Sequence, residues 1–206
     1  KYLDIAINHF KNACLIKPSD SNTYTTLAKC YIDKGNKIAA QDAVITAVEK
    51  NPESFDANFS AGQILARSGS NSNIVLPYYK KAAEIEPSNS KVLRELAGTY
   101  YDLGNKEESI TIFRNAISNE IDKIIKADLY FNLGVIYSQM CDYEEAEIAF
   151  DEAFFLNEED FEAALGMARS YEGLGDNYLN GSEGCGGAFE KDFDQAAKWF
   201  RKAEKK

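Results

Sequence analysis

A single histidine, four cysteines and four prolines are spread over 206 residues. A general base or a zinc site recruits histidine together with partners. His9, beside Phe10, has none near it in the chain, so a surface or packing role is expected. The cysteines, Cys14, Cys30, Cys141 and Cys185, form no CxxC pair and no dense framework. Free thiols in a reducing compartment, with a lean to the cytoplasm, are the expectation. No stretch approaches the ~20 apolar residues of a membrane span, and no signal peptide is visible. A dense Lys/Arg cluster is also missing, and the net charge of −10 repels phosphate backbones. Nonspecific nucleic-acid binding is therefore not expected. The basic residues Arg201, Lys202, Lys205 and Lys206 read as a helix C-terminus favoured by the helix dipole. Runs of β-branched residues are rare, and only Pro77 interrupts a strongly apolar stretch, so helix is favoured over sheet.

What the chain does have is apolar material, 45% of its residues, arranged in a period. One pattern is a small residue, then a large one four positions on, then alanine three further. It reads Ala6, Phe10, Ala13, then Ala40, Val44, Ala47, then Val75, Tyr79, Ala82. It continues as Ser109, Phe113, Ala116, as Ala146, Phe150, Ala153 and as Ala196, Phe200, Ala203. The alanines at 13, 47, 82 and 116 are 34, 35 and 34 residues apart. A second pattern interleaves with it: Leu27, Ala28, Tyr31; Ala61, Gly62, Leu65; Leu96, Ala97, Tyr100; Leu133, Gly134, Tyr137; Met167, Ala168, Tyr171. Gly35, Gly69, Gly104 and Gly175 follow the large residue by four positions, with Cys141 in that place in the fourth unit. Pro18, Pro52 and Pro87 close the early units.

Spacings of three and four put each pattern on one helical face. Glycine adopts the left-handed turn that ends a helix, and proline cannot continue the next one. The small residues let two helix backbones approach. Together these features resemble the tetratricopeptide repeat family, whose unit is a helix–turn–helix of about 34 residues. Departures are Val44 and Tyr79 for the usual Phe, Val75 and Ser109 for the usual Ala, and Ile121 and Glu158 for the usual Pro. The resemblance implies an all-α fold, a right-handed superhelical α-solenoid of antiparallel helix pairs. The expected organisation is a lone second helix within 1–20 and five hairpins at 21–54, 55–89, 90–126, 127–160 and 161–206. The first helices start near Ser21, Phe55, Ser90, Ala127 and Phe161, and residues 122–126 lengthen one turn between repeats. A glycine-rich insert at 177–191 is expected to be a flexible loop. Neither end carries a polar capping helix, so the native protein is expected to continue at one or both ends.

No motif for chemistry survives inspection, and no catalytic residue, cofactor or metal is expected. The glycines between 181 and 187 lack the strand and the GK[ST] ending of a phosphate loop. Asp176, Asn180 and Gly181 lack the remaining ligands of a calcium loop, with Tyr178 and Gly187 in their places. Cys185 has no base nearby in sequence. The acids at Asp142, Glu144, Glu145 and Glu147, and at 158–160, sit at turns and helix starts, where the dipole suits them. Asn58 and Asn180 begin glycosylation sequons, the first inside an expected helix.

In the family, first helices line a concave groove that receives peptides or partner helices. The face left over by the core pattern carries Phe59, Tyr101, Phe131, Val135 and Leu165 among Lys29, Gln63, Arg67, Arg94, Asn132 and Arg169. Aromatics beside arginine mark binding surfaces; the competing role is packing between repeats. Phe131 and Arg94 are expected to serve a groove of the third and fourth hairpins. One subclass of the family binds acidic C-terminal tails through a two-carboxylate clamp of Lys, Asn, Asn, Lys and Arg. The matching places hold Thr25, Lys29, Ser60, Lys91 and Glu95, and the later windows also fail, so a chaperone-tail adaptor is disfavoured. The expected function is a protein–protein interaction scaffold. The alternatives are a structural subunit of a larger assembly and a regulatory segment of an enzyme whose catalytic domain lies elsewhere.

Overall fold

A computed structural model describes residues 2–157, together with Glu172. The described residues are all-α: α1 (Tyr2–Ile16), α2 (Ser21–Asp33), α3 (Lys37–Lys50), α4 (Phe55–Ser68), α5 (Ser72–Ile85), α6 (Ser90–Asp102), α7 (Lys106–Asn119), α8 (Lys123–Gln139) and α9 (Tyr143–Leu156). The fifth hairpin, the insert at 177–191 and the sequon at Asn180 lie outside the described residues, as do Leu165, Arg169 and Cys185. The chain divides into two compact units after Ile112, inside α7.

Each helical hairpin turns in the same way. Gly35, Gly69 and Gly104 have φ of 81°, 89° and 81°, the left-handed conformation in which glycine avoids a Cβ clash. The amide of the next residue then donates to the large residue of the second pattern: Asn36 N to Tyr31 O at 2.9 Å, Ser70 N to Leu65 O at 3.0 Å, Asn105 N to Tyr100 O at 2.9 Å. This is a Schellman turn, and it satisfies carbonyls the helix end would leave unpaired. The α8–α9 turn keeps the geometry without glycine. Cys141 adopts φ 66°, and Asp142 N donates to Tyr137 O at 2.9 Å. Cys141 is also disulfide-bonded, which corrects the free-thiol expectation at this position; Cys14 and Cys30 are free thiols.

Between repeats the chain leaves the second helix in extended geometry. Asn51 (φ −148°, ψ 88°) and Glu86 (φ −127°, ψ 80°) precede proline, whose ring forbids the helical conformation to its predecessor. Asn157 adopts φ −144° and ψ 84° although Glu158 follows it. Side chains start the next helix: Ser54 Oγ accepts from Ala57 N at 3.2 Å, and Asn89 Oδ1 from Lys91 N at 3.1 Å. The starts expected at Ser21, Phe55 and Ser90 are those of α2, α4 and α6. The fourth differs. Asp122 Oδ1 accepts from Ile124 N at 2.9 Å and from Ile125 N at 3.1 Å, so α8 begins at Lys123. The residues expected to lengthen a turn instead form the first turn of a longer helix.

The small residues of both patterns form the tightest part of the core. In the first unit Ala28, Ala40, Ala47, Ala61, Ala82 and Ala97 have no exposed surface. Around them Ile7, Leu27, Val44 and Ile64 form one buried cluster, and Leu65, Val75, Tyr79, Val92 and Leu96 form the next. In the second unit Ala116, Ala146 and Ala153 are fully buried beside Leu129, Leu133 and Phe150. Burying each large side chain contributes roughly 1.5–3 kcal/mol. Asn58, 2% exposed, donates from Nδ2 to the carbonyls of Pro52 and Ser54, both at 2.8 Å. It pins the turn before α4 and leaves no amide free for a glycan.

Candidate functional site

In the first unit the candidate face runs along α2, α4 and α6. Phe59, Gln63 and Arg67 stand four residues apart and form a stripe on α4. Phe59 is half-buried, stacked on Phe55 at 5.6 Å between ring centroids and tilted against Tyr79 at 6.0 Å. Its ring thus packs on two neighbours and stays partly exposed. Gln63 is half-buried and Arg67 exposed. The Arg67 guanidinium lies 3.9 Å from Asp33 on α2, an exposed pair worth under about 1 kcal/mol. Lys29 is exposed on α2, and Tyr101 is half-buried on α6. Arg94 Nη2 lies 3.1 Å from Glu95 Oε1, so a carboxylate already balances its charge.

In the second unit the corresponding face belongs to α8. Phe131 is half-buried, its ring 5.6 Å from that of Phe150. Val135, one turn on, is half-buried too. Asn132 donates to Asp128 O at 2.6 Å and to Asp128 Oδ1 at 3.3 Å, which ties its amide to its own helix.

Three ionisable groups near these faces are shifted, chiefly by burial. The Tyr79 hydroxyl is pushed well above the usual phenol range by desolvation, with Glu95 adding to the effect. Burial also raises Tyr130, aided by Glu152, and the Cys30 thiol, aided by Asp33. Among the described residues no three of His, Cys, Asp and Glu are grouped as a metal would need. No described helix is long and apolar enough to cross a membrane.

The structure adds two features that lie off the candidate face. Cations sit over the second-pattern tyrosines: Lys11 over Tyr31 at 5.8 Å and Lys80 over Tyr100 at 5.8 Å in the first unit, Arg114 over Tyr137 at 6.0 Å in the second. Their sequence signal is the position directly after Phe10, Tyr79 and Phe113. The second feature is a pocket of about 440 Å³ in the second unit, between the end of α7, α8 and α9. Its lining comes from positions far apart in the chain, so no local spacing announces it.

Sequence profiles described as tetratricopeptide repeat match residues 25–90, 93–120 and 127–160. Type IV pilus assembly protein PilF from Pseudomonas aeruginosa is 25% identical over 149 residues, 71% of this chain. The chain spans 58% of the length of that relative. Among solved structures, MamA superposes with a TM-score of 0.70 at 19% identity, covering 91% of this chain and 92% of its own. YrrB, described as a TPR protein with an unusual peptide-binding site, superposes with a TM-score of 0.68 at 20% identity, covering 79% and 81%. At these identities the structures share the fold.

Proposed function

This chain belongs to the tetratricopeptide repeat family, and we propose that it binds a peptide or helical segment of a partner protein on the face of its first helices. Repeats of this family generally mediate protein–protein interaction and act as non-catalytic scaffolds. The observation that carries the finer reading is Phe59. Its ring packs on Phe55 and Tyr79 yet remains partly exposed, with Gln63 and Arg67 at the next two turns of α4. A packed aromatic beside adaptable polar groups loses little conformational entropy on binding. YrrB supports the reading in that a similar fold takes a peptide. On α8, Phe131 and Val135 offer the same kind of apolar strip. No catalytic role is assigned to any residue.

The test is affinity capture of a partner with the immobilised chain, followed by binding measurements on Phe59→Ala, Arg67→Glu, Arg94→Ala and Phe131→Ala. Truncating a true anchor weakens binding by about thirtyfold, or roughly 2 kcal/mol. Melting curves separate this from unfolding, because both rings also pack internally. A second reading, a component of a larger assembly, draws on the likeness to a pilus assembly protein. It takes over if every first-helix variant binds like the parent while substitutions on the second helices abolish binding.

A further inference from the structure

The pocket in the second unit is lined by α7, α8 and α9, and its α8 residues do not include Phe131 or Val135. Its floor is apolar: Ile117 of α7, Leu133 of α8 and Ala149 of α9 are all buried. Ile148, 64% exposed, forms part of its wall and leaves an aliphatic surface open to solvent. The rim is charged. Arg114 donates from Nη2 to the Tyr137 hydroxyl at 2.6 Å and lies over that ring, so its guanidinium is held at the edge of the pocket. Lys126 stands on the same rim, and among the described residues neither cation has a carboxylate partner. The opposing charge on the rim is Glu145. The lining itself carries two cations against one carboxylate, with Glu152 close enough to act on the Tyr130 hydroxyl.

We infer that this pocket is a second docking site, for an acidic amphipathic peptide segment of another protein. An aliphatic side chain fills the floor, and a carboxylate one turn away pairs with Arg114 and Lys126. The volume, about 440 Å³, accommodates side chains and not a whole helix. A peptide fits better than a fatty acid, which offers the same apolar and anionic groups. The Tyr130 hydroxyl supplies an acceptor that a peptide N–H group satisfies, whereas an alkyl chain leaves it desolvated and unpaired. The inference shares with the proposed function the premise that the chain binds protein segments, but it concerns a different surface.

The probe is a fluorescein-labelled amphipathic peptide of leucine and glutamate, measured by anisotropy against the intact chain, with a leucine–lysine counterpart as control. The leucine–glutamate peptide binds at least about tenfold tighter than its counterpart, a margin of roughly 1.4 kcal/mol. Lys126→Glu and Ile148→Asp each weaken it by about tenfold, with unchanged melting. Arg114→Glu does the same, but it also removes the contact to Tyr137 and so carries less weight alone. Glu145→Lys tightens binding several-fold, a gain that unfolding cannot produce. Phe59→Ala and Arg67→Glu leave this affinity unchanged, which separates the pocket from the first-helix face whichever of the two fails. Equal binding of the two peptides, indifference to both Lys126→Glu and Glu145→Lys, or displacement of the peptide by dodecanoate at equal or higher affinity would overturn the inference.

Discussion

Hairpin α4–α5 in the first unit and hairpin α8–α9 in the second meet one packing problem with one device. Each second helix presses a large ring on its first helix, Tyr79 in one and Phe150 in the other, both 2% exposed. Each first helix answers with glycine. A Cβ on Gly62 would lie 2.6 Å from Tyr79 Cδ1, and one on Gly134 would lie 2.8 Å from Phe150 Cδ1. Hairpin α2–α3 shows the complementary solution, with the smaller Val44 and the larger Ala28, both fully buried. The small residue of the second pattern is therefore not a matter of helix propensity. Glycine costs a helix about 0.5–1 kcal/mol relative to alanine, and it stands where the ring opposite leaves no room for a methyl group.

The largest effect expected from breaking this match is at the two glycines. Gly62→Ala and Gly134→Ala should each destabilise their unit by roughly 1–3 kcal/mol, because the ring must leave its position. Gly98 is the control. It is also helical, but a Cβ there meets nothing within 4 Å. Gly98→Ala should stabilise by about 0.4–1 kcal/mol through the lost freedom of the unfolded chain. Denaturant melts of the three variants read the signs directly. Stabilisation by all three would mean that propensity, not the ring, governs the slot.

The small slot was legible before any coordinates, as a small residue between larger ones at a fixed period; that the rings of Tyr79 and Phe150 fill it was not. The helix stops were legible, because a left-handed turn selects glycine and the extended exit selects proline. The beginning of α8 was not. Without proline, the only sign was Asp122, whose cap bonds to Ile124 and Ile125 admit an extra turn of helix. The Cys141 turn was half legible: its place in the pattern was, its positive φ and its disulfide were not. On the candidate face, residue spacing placed Phe59 and Phe131 beside the core stripe. It could not tell that rings so large reach back to Tyr79 and Phe150, since that depends on side-chain length and not on register. The pocket rim was invisible to spacing, because Arg114 and Lys126 meet only through the packing of α7 and α8.

The two rings also differ in chemistry, and pH exposes it. Tyr79 carries a hydroxyl whose ionisation is pushed upward by burial and by Glu95, whereas Phe150 has nothing to ionise. Below the ordinary phenol range, near pH 10, Tyr79 is neutral in both folded and unfolded chains and contributes no pH dependence. Above it the unfolded chain releases the proton and the folded one does not, so stability falls, by up to about 1.4 kcal/mol per pH unit. Tyr79→Phe should remove this part of the alkaline loss. The comparison is between parent and variant melts at matched alkaline pH. A variant that loses stability as steeply as the parent would show that Tyr79 already reaches solvent.

The smallest expected effect concerns the junctions between repeats. Lys11, Lys80 and Arg114 each follow the large residue of the first pattern and sit over a tyrosine of the next first helix. At the remaining junction of the first unit, Ile45 stands in the cation's place and Leu65 in the ring's place. Both members of the pair change together, as expected if the contact is between cation and π-face and not an incidental result of surface charge. A double-mutant cycle isolates it. Tyr100→Leu keeps bulk beside the core, and Lys80→Ala removes the ammonium while leaving Lys81 to its pairs with Glu53 and Glu84. An exposed contact of this kind contributes about 0.5–1 kcal/mol, and the cycle should return a coupling in that range. Ile45→Lys supplies the reverse arm: with Leu65 in place of a ring, the added cation should stabilise by less than about 0.5 kcal/mol, the range of an ordinary surface change. If Lys80 and Tyr100 prove additive, or if Ile45→Lys gains as much as the cycle returns, the cations act only as solvated surface and the co-variation of the two positions has another cause.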